Sequence, residues 1–176
     1  MAMSGRFEEV LEPIFTFFYP IPKIALYPIF AFLFGLGTGP KIAVVFLESL
    51  SPVAIAVYQG IKTTPELDIS AARTMGASRR QIFLKVLVFR AAPHFFSSLR
   101  IAAHVALATT IILEMIGDST GLGFYVTYTA AAFEFNASFG AILMTVLIGF
   151  TVDRALVFLR RAVVFWDNSV DGDRDV

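Results

Sequence analysis

Residues 42–61 read IAVVFLESLSPVAIAVYQGI, and this run decides the fold. Twenty residues at about 1.5 Å each make a helix of about 30 Å, the thickness of a bilayer's hydrocarbon core. Apolar residues recur all round its helical period rather than along one stripe, which suits a lipid-facing helix. Glu48 and Pro52 are its irregular positions.

Segments of the same kind lie on either side. One covers about 24–40, with Pro28 early and Gly35, Gly37 and Gly39 late; the others cover about 97–117 and 137–159. Residues 15–21, broken up by Pro20 and Pro22, read as an interfacial lead-in. Composition agrees, since 57% of the 176 residues are apolar and nineteen are phenylalanine, outside the usual soluble balance. The expected fold is all-α: a polytopic membrane helical bundle of about four transmembrane helices. Residues 1–23 form an amino-terminal cytoplasmic or interfacial lead-in and 24–166 the transmembrane domain. Residues 167–176 are polar, acidic and aperiodic, and read as a disordered tail. The absence of cysteine removes disulfides and thiolate metal sites.

Fourteen acids balance fourteen Lys and Arg, so the placement of charge is what informs. The connection 62–90 holds six basic residues, Lys62, Arg73, Arg79, Arg80, Lys85 and Arg90, whereas 118–136 holds none. Basic connections stay on the cytoplasmic side, so the first of these is inside and the second outside. Arg6, Lys23, Arg154, Arg160 and Arg161 then fall on the inner side after an even number of crossings, with both termini inside.

The inner loop, 62–96, reads as two helices. Thr64 as N-cap, Pro65 at the first position, and Glu66 and Asp68 at the positive end of the dipole start the first, and Gly76 stops it. Ala71, Ala72 and Met75 give it a small-residue face. Ser78-Arg79-Arg80-Gln81 is a capping-box pattern opening a basic amphipathic second helix through Ile82, Phe83, Val86 and Leu87. By pattern alone, the loop either lies on anionic lipid at the inner leaflet or docks a cytoplasmic partner.

Polar residues inside the spans narrow the chemistry. Glu48, about two turns into its span, faces a cavity or a partner helix, as a solute contact, an interhelical hydrogen bond or a protonated acid. Arg100 lies near the cytoplasmic end of its span and is expected to snorkel. Glu114, near an outer end, caps a helix terminus or lines the outer mouth, and His104 reads as a satisfied core residue. Paired acids, a Ser and His dyad or a metal cluster at compatible depth are all missing, so no catalytic residue, metal or enzyme activity is expected. No nucleic-acid partner is expected either. The connection 117–136 combines a turn at Gly121-Leu122-Gly123 with Tyr125, Tyr128 and Phe133, which serve either as headgroup anchors or as an edge touching an external protein.

The order of short motifs resembles one family. Ala71-Ala72-x-x-x-Gly76 with Ala77-Ser78, then Pro93 and Leu99-Arg100, is similar to the cytoplasmic signature loop of binding-protein-dependent ABC transporter permeases. Pro20-Ile21-Pro22-Lys23, Phe34-Gly35-Leu36-Gly37, Glu114-Met115-Ile116-Gly117, Asp153-Arg154 and Trp166 follow the same pattern, most like the nitrate, sulfonate and taurine branch. The resemblance implies a type I importer permease in a bacterial inner membrane, and a small solute of that kind. It implies as partners a cytoplasmic ABC ATPase that carries the ATP, a second permease subunit and an extracytoplasmic solute-binding protein, with lipid around. No cofactor is bound by this chain. Ser70, Ala71, Ala72, Gly76, Ala77 and Ser78 become the ATPase-coupling residues, and Glu48 and Glu114 the candidates for lining the pathway. This chain has Ser70 where the family usually has an acid, Phe89-Arg90 where it has Pro and Gly, and Ser98 where it has Gly. The usual two further amino-terminal spans would precede Pro20 and are not contained. The alternative is a truncated paralogue acting as a non-transporting membrane scaffold.

Overall fold

The computed structural model describes residues 21–117 and 119–166, which leaves most of the lead-in, Asp118 and the tail outside the described residues. A 3-10 turn, Lys23–Leu26, leads into α1, Tyr27–Phe34. Pro28 sits in the first turn of α1, where its missing N–H costs no helical hydrogen bond. The chain then turns through Gly35-Leu36-Gly37 into α2, Thr38–Lys62. Pro52 inside α2 deprives the Glu48 carbonyl of its helical donor without ending the helix.

After α2 come α3, Glu66–Thr74, and α4, Arg79–Ile82. A wide π turn, Phe83–Leu87, joins α4 directly to α5, Val88–Gly117. Then follow α6, Leu122–Ala131, and α7, Phe135–Val163. The sequence suggests a break between the second loop helix and the next span, but the structure has one helical run of 39 residues, Arg79–Gly117. The π turn absorbs the change of register, and Pro93 removes one N–H while the apolar helix continues around it. The connection 117–136 likewise holds a ten-residue helix, α6.

Among the described residues, three helical runs are long and apolar enough to cross a membrane: Thr38–Lys62, Arg79–Gly117 and Phe135–Val163. The apolar segment 24–40 is present as a shorter helical stretch, Lys23–Phe34. Its twelve residues rise about 18 Å, well short of the core thickness of about 30 Å.

The chain forms two compact units. The described residues of the first are Val53–Leu99 and 156–166; those of the second are Ile21–Pro52 and Arg100–Ala155. In the first, Ile82, Leu87, Ala91 and Val164 are buried, and the Phe89 ring stacks on Trp166 with centroids 3.8 Å apart. In the second, Tyr27, Val44 and Leu113 make a core with Ile24, Phe30 and Val45 packed against it. Only 6% of the most apolar window of α2 and of α7 is buried, so their side chains are left for lipid or a partner helix.

Candidate functional site

The first unit carries the loop helix α3. Its N-cap is Pro65 in an extended conformation, with Glu66 and Asp68 in the first turn at the positive end of the dipole. Thr64 is buried and donates its hydroxyl back to the Gly60 carbonyl at 3.3 Å, so it closes α2 rather than capping α3. At the other end the Ala77 N–H reaches the Ala72 carbonyl at 3.0 Å, and Gly76 takes φ +80°. A side chain at Gly76 would meet nothing within 4 Å, so the requirement there is conformational, not steric. The next helix starts with a complete capping box. The Gln81 N–H donates to Ser78 Oγ at 3.3 Å, and the Ser78 N–H donates to Gln81 Oε1 at 2.8 Å.

What holds α3 in place is on one side of it. Arg90 Nη2 lies 2.5 Å from Asp68 Oδ2, tying α3 to the first turn of α5, and Ala72 is buried. Ala71 is exposed, as are Leu67 at 76% and Met75 at 81%. Residues 67, 71 and 75 are four apart and share a face, so α3 is braced behind and bare and apolar in front. The small-residue face is therefore split, with Ala72 turned into the unit and Ala71 outward. Ser70 is exposed and bonds the Leu67 carbonyl at 3.0 Å. Two of the four residues that depart from the family pattern make contacts between elements: Phe89 stacks on Trp166 and Arg90 holds Asp68. Ser98 is buried and donates to the Phe95 carbonyl at 2.8 Å.

The second unit holds a charged cluster that the sequence did not reveal. Arg100 on α5 grips Asp153 on α7 with two bonds, Nη2 to Oδ2 at 2.9 Å and Nε to Oδ1. His104 adds Nε2 at 3.6 Å from Asp153 Oδ1, while its Nδ1 lies 2.7 Å from the Arg100 carbonyl. The Asp153 side chain is 8% exposed, whereas those of Arg100 and His104 are 51% and 55% exposed. Arg100 thus pairs across helices rather than only reaching for water. Its partner lies 53 residues away, and the one available signal was the rule that charges on spans seek each other. An apolar groove of about 640 Å³, walled by Leu107, Ile111, Val146 and Phe150, opens beside the cluster.

Both candidate acids lie within this unit, and the buried Glu48 Oε2 has no hydrogen-bond partner there. Glu48 Oε2 lies 4.0 Å from Lys23 Nζ, at the limit of ion pairing, with side chains 29% and 12% exposed. Glu114 Oε2 accepts the Gly123 N–H at 2.9 Å, which satisfies a donor in the first turn of α6. Gly123 itself lies so close to α5 that an added Cβ would come within 2.2 Å of the Ile111 carbonyl oxygen. Among the described residues no group of three or more His, Cys, Asp and Glu could hold a metal ion.

A family model described as binding-protein-dependent transport system inner membrane component matches residues 1–164. The taurine transport system permease protein TauC of Escherichia coli is 30% identical over 97% of this chain and 62% of its own length. The formylaminopyrimidine transport permease protein ThiX of Halalkalibacterium halodurans is 31% identical over 94% of this chain and 66% of its own length. The putative aliphatic sulfonates transport permease protein SsuC of Bacillus subtilis is 26% identical over 96% and 61%. The chain thus spans 61% to 66% of the length of these three relatives.

Proposed function

We propose a role in transport because the chain belongs to the family of binding-protein-dependent transport system inner membrane components. In this reading it is the transmembrane permease subunit of an ATP-driven importer for a small solute of the nitrate, sulfonate or taurine kind. Relatives named for taurine and for aliphatic sulfonates support that solute class.

One observation carries the reading: α3 is clamped through Asp68 and Arg90 while Leu67, Ala71 and Met75 stand exposed on its other side. A short helix held in this way can seat an apolar face in a groove of a cytoplasmic ATPase and pass motion to the spans as a rigid lever. ATP binding and hydrolysis belong to that partner, because this chain has no phosphate-cradling G-x-x-x-x-G-K-[ST] sequence and contributes no catalytic residue. A second permease subunit completes the pathway, and an extracytoplasmic binding protein delivers the solute. This chain binds no cofactor of its own.

The test is to purify the chain with its associated proteins, reconstitute the complex with a solute-binding protein, and measure ATP hydrolysis against taurine, alkanesulfonates and nitrate. The expected result is a copurifying ATPase whose turnover rises with one of these solutes. An ATPase that never copurifies, or hydrolysis indifferent to every solute, would overturn the reading.

A further inference from the structure

The groove between α5 and α7 in the second unit changes character along its length. It runs from Ile112 and Thr145 to Arg100, His104 and Asp153, with apolar walls between. Arg100 is 17 residues from Gly117, the last residue of α5, and Asp153 is 18 residues from Phe135, the first of α7. At about 1.5 Å per residue the charged end lies about 26 Å below those helix ends, near the far boundary of a hydrocarbon core of about 30 Å. Gly117 and Phe135 flank the connection that holds no basic residue, so the charged end belongs to the inner leaflet. From there to Ile112 the groove rises about 18 Å, a little more than the roughly 15 Å of core that one leaflet contributes.

Charge at the inner end does not cancel. Arg100 and Asp153 neutralise each other through their two bonds, and Asp153 is the one acid among the groove's walls. Arg154, the next residue of α7, is exposed and holds its guanidinium carbon 4.9 Å from the ring of Phe150, which forms part of one wall. This second arginine leaves the rim positive whatever the state of His104. A guanidinium fork suits the oxygens of a phosphate, and the inner leaflet is where anionic headgroups are found. The volume fits the same ligand. With about 30 Å³ for a water-sized unit, the groove's 640 Å³ takes on the order of twenty such units, the bulk of one acyl chain and its ester. A helix from another chain, about 10 Å across, could insert only side chains.

We propose that this groove binds one anionic phospholipid of the inner leaflet, its phosphate on Arg154 beside the Arg100–Asp153 pair and one acyl chain along Leu107, Ile111 and Val146. The site is independent of the transport role. No residue in it needs an ATPase or a solute.

The test uses the full chain, purified and stripped of lipid in a neutral detergent. Binding is measured by native mass spectrometry and by the rise in Tm on adding phosphatidylglycerol, phosphatidylcholine of the same acyl chains, or glycerol 3-phosphate. Phosphatidylglycerol should bind and raise Tm, and the other two should bind at least about fivefold more weakly. Arg154→Gln should weaken phosphatidylglycerol binding about fivefold, Arg154→Glu at least about tenfold, and Arg154→Lys less than about twofold. Arg79→Glu reverses an exposed basic residue of the loop outside the groove and should change binding less than about twofold. Ala108 is exposed on the groove wall, so Ala108→Phe should fill the path of the chain and weaken binding at least about fivefold while the lipid-free Tm stays nearly the same. Equal binding of both lipids, equal losses in Arg154→Glu and Arg79→Glu, or full binding by Ala108→Phe would overturn the proposal. Glycerol 3-phosphate binding as tight as the lipid's would overturn it in favour of a free anion. A lipid-free dimer that Ala108→Phe dissociates would overturn it in favour of a second copy of the chain.

Discussion

Ala71 and Ala72 are neighbours with opposite exposure, and this separates two effects that one bulky substitution could confuse. Ala72 is buried in the first unit, so Ala72→Trp must force its neighbours apart at a cost of about 1 to 3 kcal/mol, read as a lower Tm of the isolated chain. Ala71 is exposed beside Leu67 and Met75, so Ala71→Trp should leave Tm nearly unchanged, within about 0.5 kcal/mol, while blocking a partner. The charged pair in the second unit makes a different demand. Asp153→Leu strands the half-exposed Arg100 beside a buried apolar site, whereas Arg100→Leu with Asp153→Leu removes both charges. The double variant should have the higher Tm of the two; a double variant less stable than Asp153→Leu would show that the pair does not carry the interaction.

The elements of the loop depend on glycine where the backbone requires it. Gly76 at φ +80° turns α3 into the Ser78 cap, so Gly76→Val should cost about 1 to 2 kcal/mol and misdirect α3, whereas Gly76→Asn should be nearly tolerated. Hydrogen-exchange protection of α3 would show the difference. Gly123→Ala should separate α6 from α5, because its Cβ would meet backbone rather than a yielding side chain, and should cost about 1 to 3 kcal/mol in a Tm measurement. These local signals also show how far the sequence could be read. The capping box at Ser78 and Gln81 and the long run of α2 were plain, because each depends on residues close together in the chain. The end of α1 at Phe34, the π turn at Phe83–Leu87 and the start of α6 were not, because each depends on a backbone choice that apolar periodicity does not encode. Thr64 looked like a cap by type, but a local bond to the Gly60 carbonyl won.

For the whole molecule, the six-to-none distribution of basic residues between the two connections predicts an orientation that labelling can check. The chain has no cysteine, so single cysteines at Ser78 and Ser119 can be introduced and intact cells treated with a membrane-impermeant thiol reagent. Position 119 should label and position 78 should not; the reverse would invert the topology. Family and fold class were readable from motif order and composition because both are spread along the chain. The Arg100–Asp153 pair was not, since it unites residues that only folding brings together. Whether the bare face of α3 couples an ATPase to the spans is decided by one comparison: solute-stimulated ATP hydrolysis of the reconstituted complex carrying wild-type chain or Ala71→Trp. The variant should keep its Tm and lose ATPase association or the stimulation by solute, and wild-type association with undiminished stimulation would contradict the account.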